Sequence, residues 1–236
     1  MIARGGPFGG SQSYLLLILL LIALSIVAGG RLGIQQDLTD PRRIIALAVA
    51  FVIAVTFHEF MHAFVADRLG DATGRLLGRM TLNPVAHLDA MGTLFLILFR
   101  FGWGKPVPVN YSRLQGGRQG GMAVAFAGPA TNFVIAAIFA LPFRTGNANL
   151  LGPDYALILG YIVYFNVLLG IFNLIPIPPL DGSKVLYGLV PPRLAWSWPQ
   201  FETIGPFVLL LVFFYPPFQA LLRLAIDATA ELLVGQ

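Results

Sequence analysis

A chain of 236 residues that is 57% hydrophobic and only 11% charged, with a mean hydropathy of +0.77, is too apolar for a soluble domain, where about a quarter of residues carry charge. It reads as an all-α polytopic membrane protein. The net charge of +4 comes from basic residues scattered among loops, without the dense patch that nucleic acid requires. There are no cysteines, which excludes disulfides and thiolate zinc sites and leaves histidines and carboxylates to hold any metal.

Apolar runs of membrane-spanning length lie at about 13–30, 43–66, 121–142, 155–175 and 203–226. With a short helix expected at about 182–190, they predict five to six transmembrane helices. The first run is long enough for a cleaved signal peptide, but Val27-Ala28-Gly29-Gly30 is a weak cleavage site, so an uncleaved helix is preferred. The second run contains His58-Glu59-Phe60-Met61-His62. Two imidazoles four residues apart on a helix share one face and are close enough to share a metal ion. Glu59 between them can take the proton of a water beside that ion. Ionisable groups inside a span are costly and usually functional, which counts against mere packing of the histidines.

Between the second and third runs the chain is irregular. Residues 93–99 are apolar but too short to span, and the Gly/Pro-punctuated stretch 102–110 follows. Backbone of this kind at membrane depth must be buried in protein or line a wet cavity, so a re-entrant loop or β-hairpin is expected here. Asn83, His87 and Asp89 suit tying this loop together, although His87 could also be an extra metal ligand or a substrate contact. Gly116, Gly117, Gly120 and Gly121 form a hinge-like lead into the third run. The fourth run meets Pro176, Pro178 and Pro179, which cannot continue a helix, so the chain must end or unwind it there. An unwound segment places Asp181 beside a polar cavity. Asp181 alone could be a simple helix cap, but a catalytic zinc with two histidines lacks a third protein ligand, and Asp181 is the best acidic candidate downstream. Trp103, Trp196 and Trp198 suit interfacial anchoring.

Orientation follows from lysine and arginine. A cytoplasmic N-terminus collects Arg4, Arg68, Arg75, Arg79, Arg100, Lys105, Arg113, Arg118, Lys184 and Arg193 on that side, against Arg31, Arg42, Arg43, Arg144 and Arg223 opposite. His62 then lies only a few residues, roughly 6 Å, from the cytoplasmic end of its helix.

Together, His58-Glu59-x-x-His62 and the segment from Asn173 to Leu180-Asp181-Gly182 resemble the two signatures of the site-2 protease family, the intramembrane zinc metalloproteases. Asn83-Pro84-Val85-Ala86-His87-Leu88-Asp89, Lys105-Pro106-Val107-Pro108-Val109-Asn110 and Gly128-Pro129-Ala130-Thr131-Asn132 resemble segments of its bacterial branch. Ala90 stands where many relatives have proline. The resemblance implies one Zn²⁺ per chain held by His58, His62 and Asp181, with Glu59 as general base and Asn173 stabilising the oxyanion. For Asn173, helix–helix hydrogen bonding is the competing role.

Residues 1–236 then form a single transmembrane protease domain with its catalytic core at about 43–190, in a minimal form without PDZ or CBS modules. The expected partners are a transmembrane protein or peptide substrate and the lipid bilayer, with no nucleic acid. The expected location is the cell membrane, multi-pass, with the site toward the cytoplasm. Residues 107–110 could pair with an unwound substrate as a strand edge or simply plug the cavity. The rival functions are a membrane transporter of zinc or another divalent metal and an inactive protease-like membrane chaperone.

Overall fold

The computed structural model describes residues 40–92, 104–150 and 152–235. The predicted first span, the 93–99 element and Trp103 lie outside the described residues. The helices are α1 (Pro41–Arg68), the single turn α2 (Thr73–Leu76), α3 (Gly117–Arg144), α4 (Pro153–Asn173), α5 (Asp181–Leu189), α6 (Trp198–Phe214) and α7 (Pro216–Val234). No strand occurs among the described residues. Leu88 and Gly104 form an isolated antiparallel bridge, which is all that is seen of the expected hairpin.

Local chemistry sets the helix ends. Asp40 accepts from the Arg42 N–H at 3.0 Å and Pro41 occupies the first turn of α1, where no N–H is needed. The glycine lead into α3 is a tight turn in which Gly116 and Gly117 adopt φ of 78° and 55°, a left-handed conformation that suits glycine. Four segments are long and apolar enough to cross a membrane: Pro41–Arg68, Gly117–Arg144, Pro153–Asn173 and Pro192–Phe214. The last apolar run, expected as one helix over about 203–226, is instead two. Pro216 and Pro217 lack N–H donors, and Tyr215 before them is extended at φ −82°, ψ 110°, so α6 stops and α7 starts afresh.

Two contacts fix the helix directions. The Gln115 N–H donates to Leu69 O at 2.7 Å, tying the start of α3 to the end of α1. Arg42 reaches Asp154 at 3.3 Å, tying the start of α1 to the start of α4. Thus α1 and α4 run one way and α3 runs back against both. Ala50, Ile135 and Ile162 meet where the three helices pack, and Ala136, Ala140, Val163, Val167 and Ile226 join α3, α4 and α7. The alanines let backbones approach closely, which matters because packing, not water exclusion, drives helix association in lipid. Trp196 is exposed, whereas Trp198 is buried against Tyr187 with ring centroids 4.8 Å apart, so it packs inside and is not an interfacial anchor.

Candidate active site

His58 and His62 sit on successive turns of α1, near its C-terminal end at Arg68. Asp181 is the first residue of α5, delivered by the proline-rich segment that follows α4. Asp181 Oδ2 lies 3.1 Å from His58 Nε2 and 3.0 Å from His62 Nε2, and the two Nε2 atoms are 3.0 Å apart. All three residues are buried.

The opposite edge of each ring shows what this cluster is for. His58 Nδ1 donates to Asn132 Oδ1 at 2.7 Å, and His62 Nδ1 donates to the Val124 carbonyl at 2.7 Å. With both Nδ1 atoms protonated, both Nε2 lone pairs and a carboxylate oxygen face one point. Three acceptors converging in a low-dielectric interior repel one another unless a cation lies among them. Two imidazoles and one carboxylate, with no thiolate, form the donor set of a catalytic zinc site with its fourth position open. The structure therefore brings together the three predicted ligands, and among the described residues they form the one such cluster.

The space at this point is a cavity of about 180 Å³ lined by Glu59, Val107, Tyr111, Asn173 and Lys184 besides His58, His62 and Asp181. Glu59 accepts from the Val107 N–H through Oε2 at 2.8 Å, so the segment 104–110 lies across the general-base candidate. Asn173 lines the cavity, but its amide donates to Leu169 O of its own helix at 3.0 Å. His87 is elsewhere: it is fully buried in the loop, with Nε2 donating to Thr81 O at 2.7 Å. Its own carbonyl accepts from the Lys105 N–H at 2.7 Å, which braces the loop.

Comparison with known proteins agrees with this geometry. The sequence pattern of "Peptidase family M50" matches residues 142–211, a stretch that includes Asn173 and Asp181. YwhC of Bacillus subtilis is 37% identical over 177 residues, covering 72% of this chain and 80% of that protein. This chain belongs to peptidase family M50, the site-2 protease family. Rip2 of Mycolicibacterium smegmatis is 30% identical over 190 residues, 75% of this chain and 70% of its own. The more distant MJ0392 of Methanocaldococcus jannaschii is 24% identical over 144 residues, 61% of this chain and 34% of its own. All three carry names that class them as zinc metalloproteases. No solved structure matches the chain.

Within this M50 site, three residues escaped the sequence reading. Lys184, counted there only among the basic residues that set orientation, places Nζ 3.6 Å from Asp181 Oδ1, the oxygen turned away from the histidines. Its position one helical turn after Asp181 was the available signal. Asn132 appeared only inside a family-like segment, and Asn166 not at all. Asn132 is the one asparagine of its apolar run, and Asn166 stands two helical turns before Asn173 on the same helix; those placements were the signals.

Proposed function

We propose that this chain is an intramembrane zinc endopeptidase that hydrolyses peptide bonds in or near transmembrane segments of membrane-protein substrates. It acts in the cell membrane, with its site toward the cytoplasm. The observation that carries the reading is the meeting of Glu59 with His58, His62 and Asp181 around one cavity within an apolar helix bundle. Zinc bound by those three residues would polarise the scissile carbonyl and make water nucleophilic near neutral pH. Glu59 takes the proton of that water and returns one to the leaving nitrogen. The Val107 N–H on Oε2 aims the carboxylate and leaves its other oxygen to move the proton. Asn173 serves the oxyanion once its amide leaves Leu169 O and turns toward the cavity.

A substrate helix hides its carbonyls in its own hydrogen bonds and must unwind before attack. Residues 106–110 are an edge on which the opened strand can lie. Pro106 and Pro108 have no N–H, and those of Val107 and Asn110 are held by Glu59 and Asp71. Pairing therefore relies on Val109 and on carbonyl groups. Among the rivals, a transporter is disfavoured by family membership and has no use for a carboxylate aimed as Glu59 is. A chaperone descended from a protease has no need to keep the base and all three ligands.

The test is cleavage of a membrane-anchored peptide by purified protein in liposomes, alongside zinc flux into the same liposomes. The reading expects Glu59→Gln to lose about 10²- to 10⁴-fold in cleavage rate while still binding zinc. Parental cleavage by that variant, or Glu59-independent zinc flux without cleavage, would overturn it.

A further inference from the structure

Two asparagines, Asn132 on α3 and Asn166 on α4, are wholly buried between helices and touch no part of the cavity. Burying amides among apolar helices is costly unless every polar atom is satisfied, and here each has a directed partner. The Asn166 amide donates to Ile162 O at 2.9 Å. A carbonyl can only accept, so Asn166 must turn its nitrogen there and its oxygen toward Asn132. Asn132 Nδ2 then donates both to that oxygen, at 2.9 Å, and to Ala54 O, at 3.1 Å. With two acceptors on one side, the Asn132 amide cannot flip. Its Oδ1 faces His58 Nδ1 at 2.7 Å. An oxygen without a proton there requires one on Nδ1, so the Nε2 lone pair is left facing His62 and Asp181. The polarity of two backbone carbonyls, Ala54 O on α1 directly and Ile162 O on α4 through Asn166, thus reaches the tautomer of His58 through the Asn132 amide. His62 needs no such relay, because a backbone carbonyl, Val124 O, orients it directly.

We propose that Asn132, itself oriented by Asn166, is a positioning residue that locks the His58 tautomer and so sets the affinity of the site for its metal. The inference rests on the metal-site reading above. Hydrogen-bond partners of metal-ligating histidines act in this way generally, and losing one costs about 10- to 100-fold in metal affinity. Leucine has the same branching as asparagine but no hydrogen-bonding atom, so at either position it cuts the relay while keeping an apolar side chain between the helices.

The experiment uses the full chain in detergent and measures zinc affinity by competition with a chelator for the parent, Asn132→Leu, Asn166→Leu and the double variant. Asn132→Leu is expected to bind zinc about 10- to 100-fold more weakly, and Asn166→Leu several-fold more weakly, since Asn132 keeps Ala54 O. Because Asn166 acts through Asn132, the double variant should bind no worse than Asn132→Leu alone. Imidazole ¹⁵N shifts of the metal-free protein give a second readout: His58 protonated at Nδ1 in the parent and a mixture of tautomers in either single variant. Should Asn132→Leu fail to fold, Asn166→Leu carries the same test. Parental zinc affinity in Asn132→Leu, additive losses in the double variant, or an unchanged His58 tautomer would overturn the relay while leaving the site intact. A parent that binds no zinc would overturn the site reading as well.

Discussion

Gly128 is the α3 residue at which a side chain would run into both imidazoles. A Cβ placed there would lie 2.7 Å from His62 Cε1 and 2.8 Å from His58 Cε1, and nearer still to His62 Nε2. Both rings are tied at Nδ1, so neither can retreat without breaking a buried hydrogen bond. Gly128→Ala should therefore displace the ligands at a cost of about 1–3 kcal/mol, read as roughly a tenfold or greater loss of zinc affinity in chelator competition. Gly160 on α4 is the comparison, since a Cβ there meets only Phe143 Cζ at 3.9 Å. Gly160→Ala should leave zinc affinity at the parental value. Equal affinities in all three proteins would mean that close approach of α3 does not shape the site. The cluster of His58, His62 and Asp181 was legible in the sequence because His58 and His62 report a local helical spacing and the prolines before Asp181 mark a break in the apolar pattern. Asn132 and Asn166 were not, because a polar residue in an apolar run looks the same whether it faces a ligand, another helix or a wet cavity. Their meaning lies in partners dozens of residues away.

Among the elements, the described parts of the connection between α1 and α3 are joined by a buried carboxylate. Asp71 is fully buried just beyond α1 and accepts from the Thr73 N–H at 3.1 Å, the Thr73 hydroxyl and the Asn110 N–H at 2.6 Å. It joins α2 to the segment whose Val107 N–H aims Glu59. Burial pushes the Asp71 carboxyl up, but hydrogen bonds from Thr73 and Asn110 and the charge of Arg113 outweigh it and hold the group below its ordinary value near 3.8. A carboxylate depressed in the folded state stabilises fully above its unfolded value, and that contribution is lost as pH falls through the folded one. Asp71→Asn puts an amide against N–H donors and should cost about 1–3 kcal/mol at neutral pH. Thermal unfolding in detergent between about pH 2.5 and pH 7 should show the gap between parent and variant shrinking only at the acid end. A gap that stays constant down to the acid end would remove Asp71 from this role. This connection was only partly legible. Its glycines and prolines excluded a span, yet the bonds that order it run from side chain to backbone across tens of residues. The same averaging hid the break at Pro216 and Pro217, where a continuous apolar run carried the eye past two missing donors.

At the scale of the whole molecule, the site belongs to one end of the bundle. The Leu69–Gln115 bond gathers the end of α1, the start of α3 and the connection between them at that end, while Arg42 and Asp154 meet at the other. Arg68, Arg75, Arg79, Lys105, Arg113 and Arg118 accompany the site end, and Arg42, Arg43 and Arg144 the opposite one. An excess of basic residues beside the spans marks the cytoplasmic side, and in the orientation proposed above water would reach His62 from the cytosol. The absence of native cysteine makes this directly measurable, because one introduced thiol is the sole target in the chain. Leu76 and Leu150 are both largely exposed, 71% and 74%, and lie at opposite ends. In intact cells an impermeant maleimide should label Leu150→Cys and spare Leu76→Cys until the membrane is opened. The reverse pattern would turn the site to the outside. Labelling of both from one side would contradict the antiparallel packing of α1 and α3, and with it the arrangement that brings α3 against the His58–His62 face.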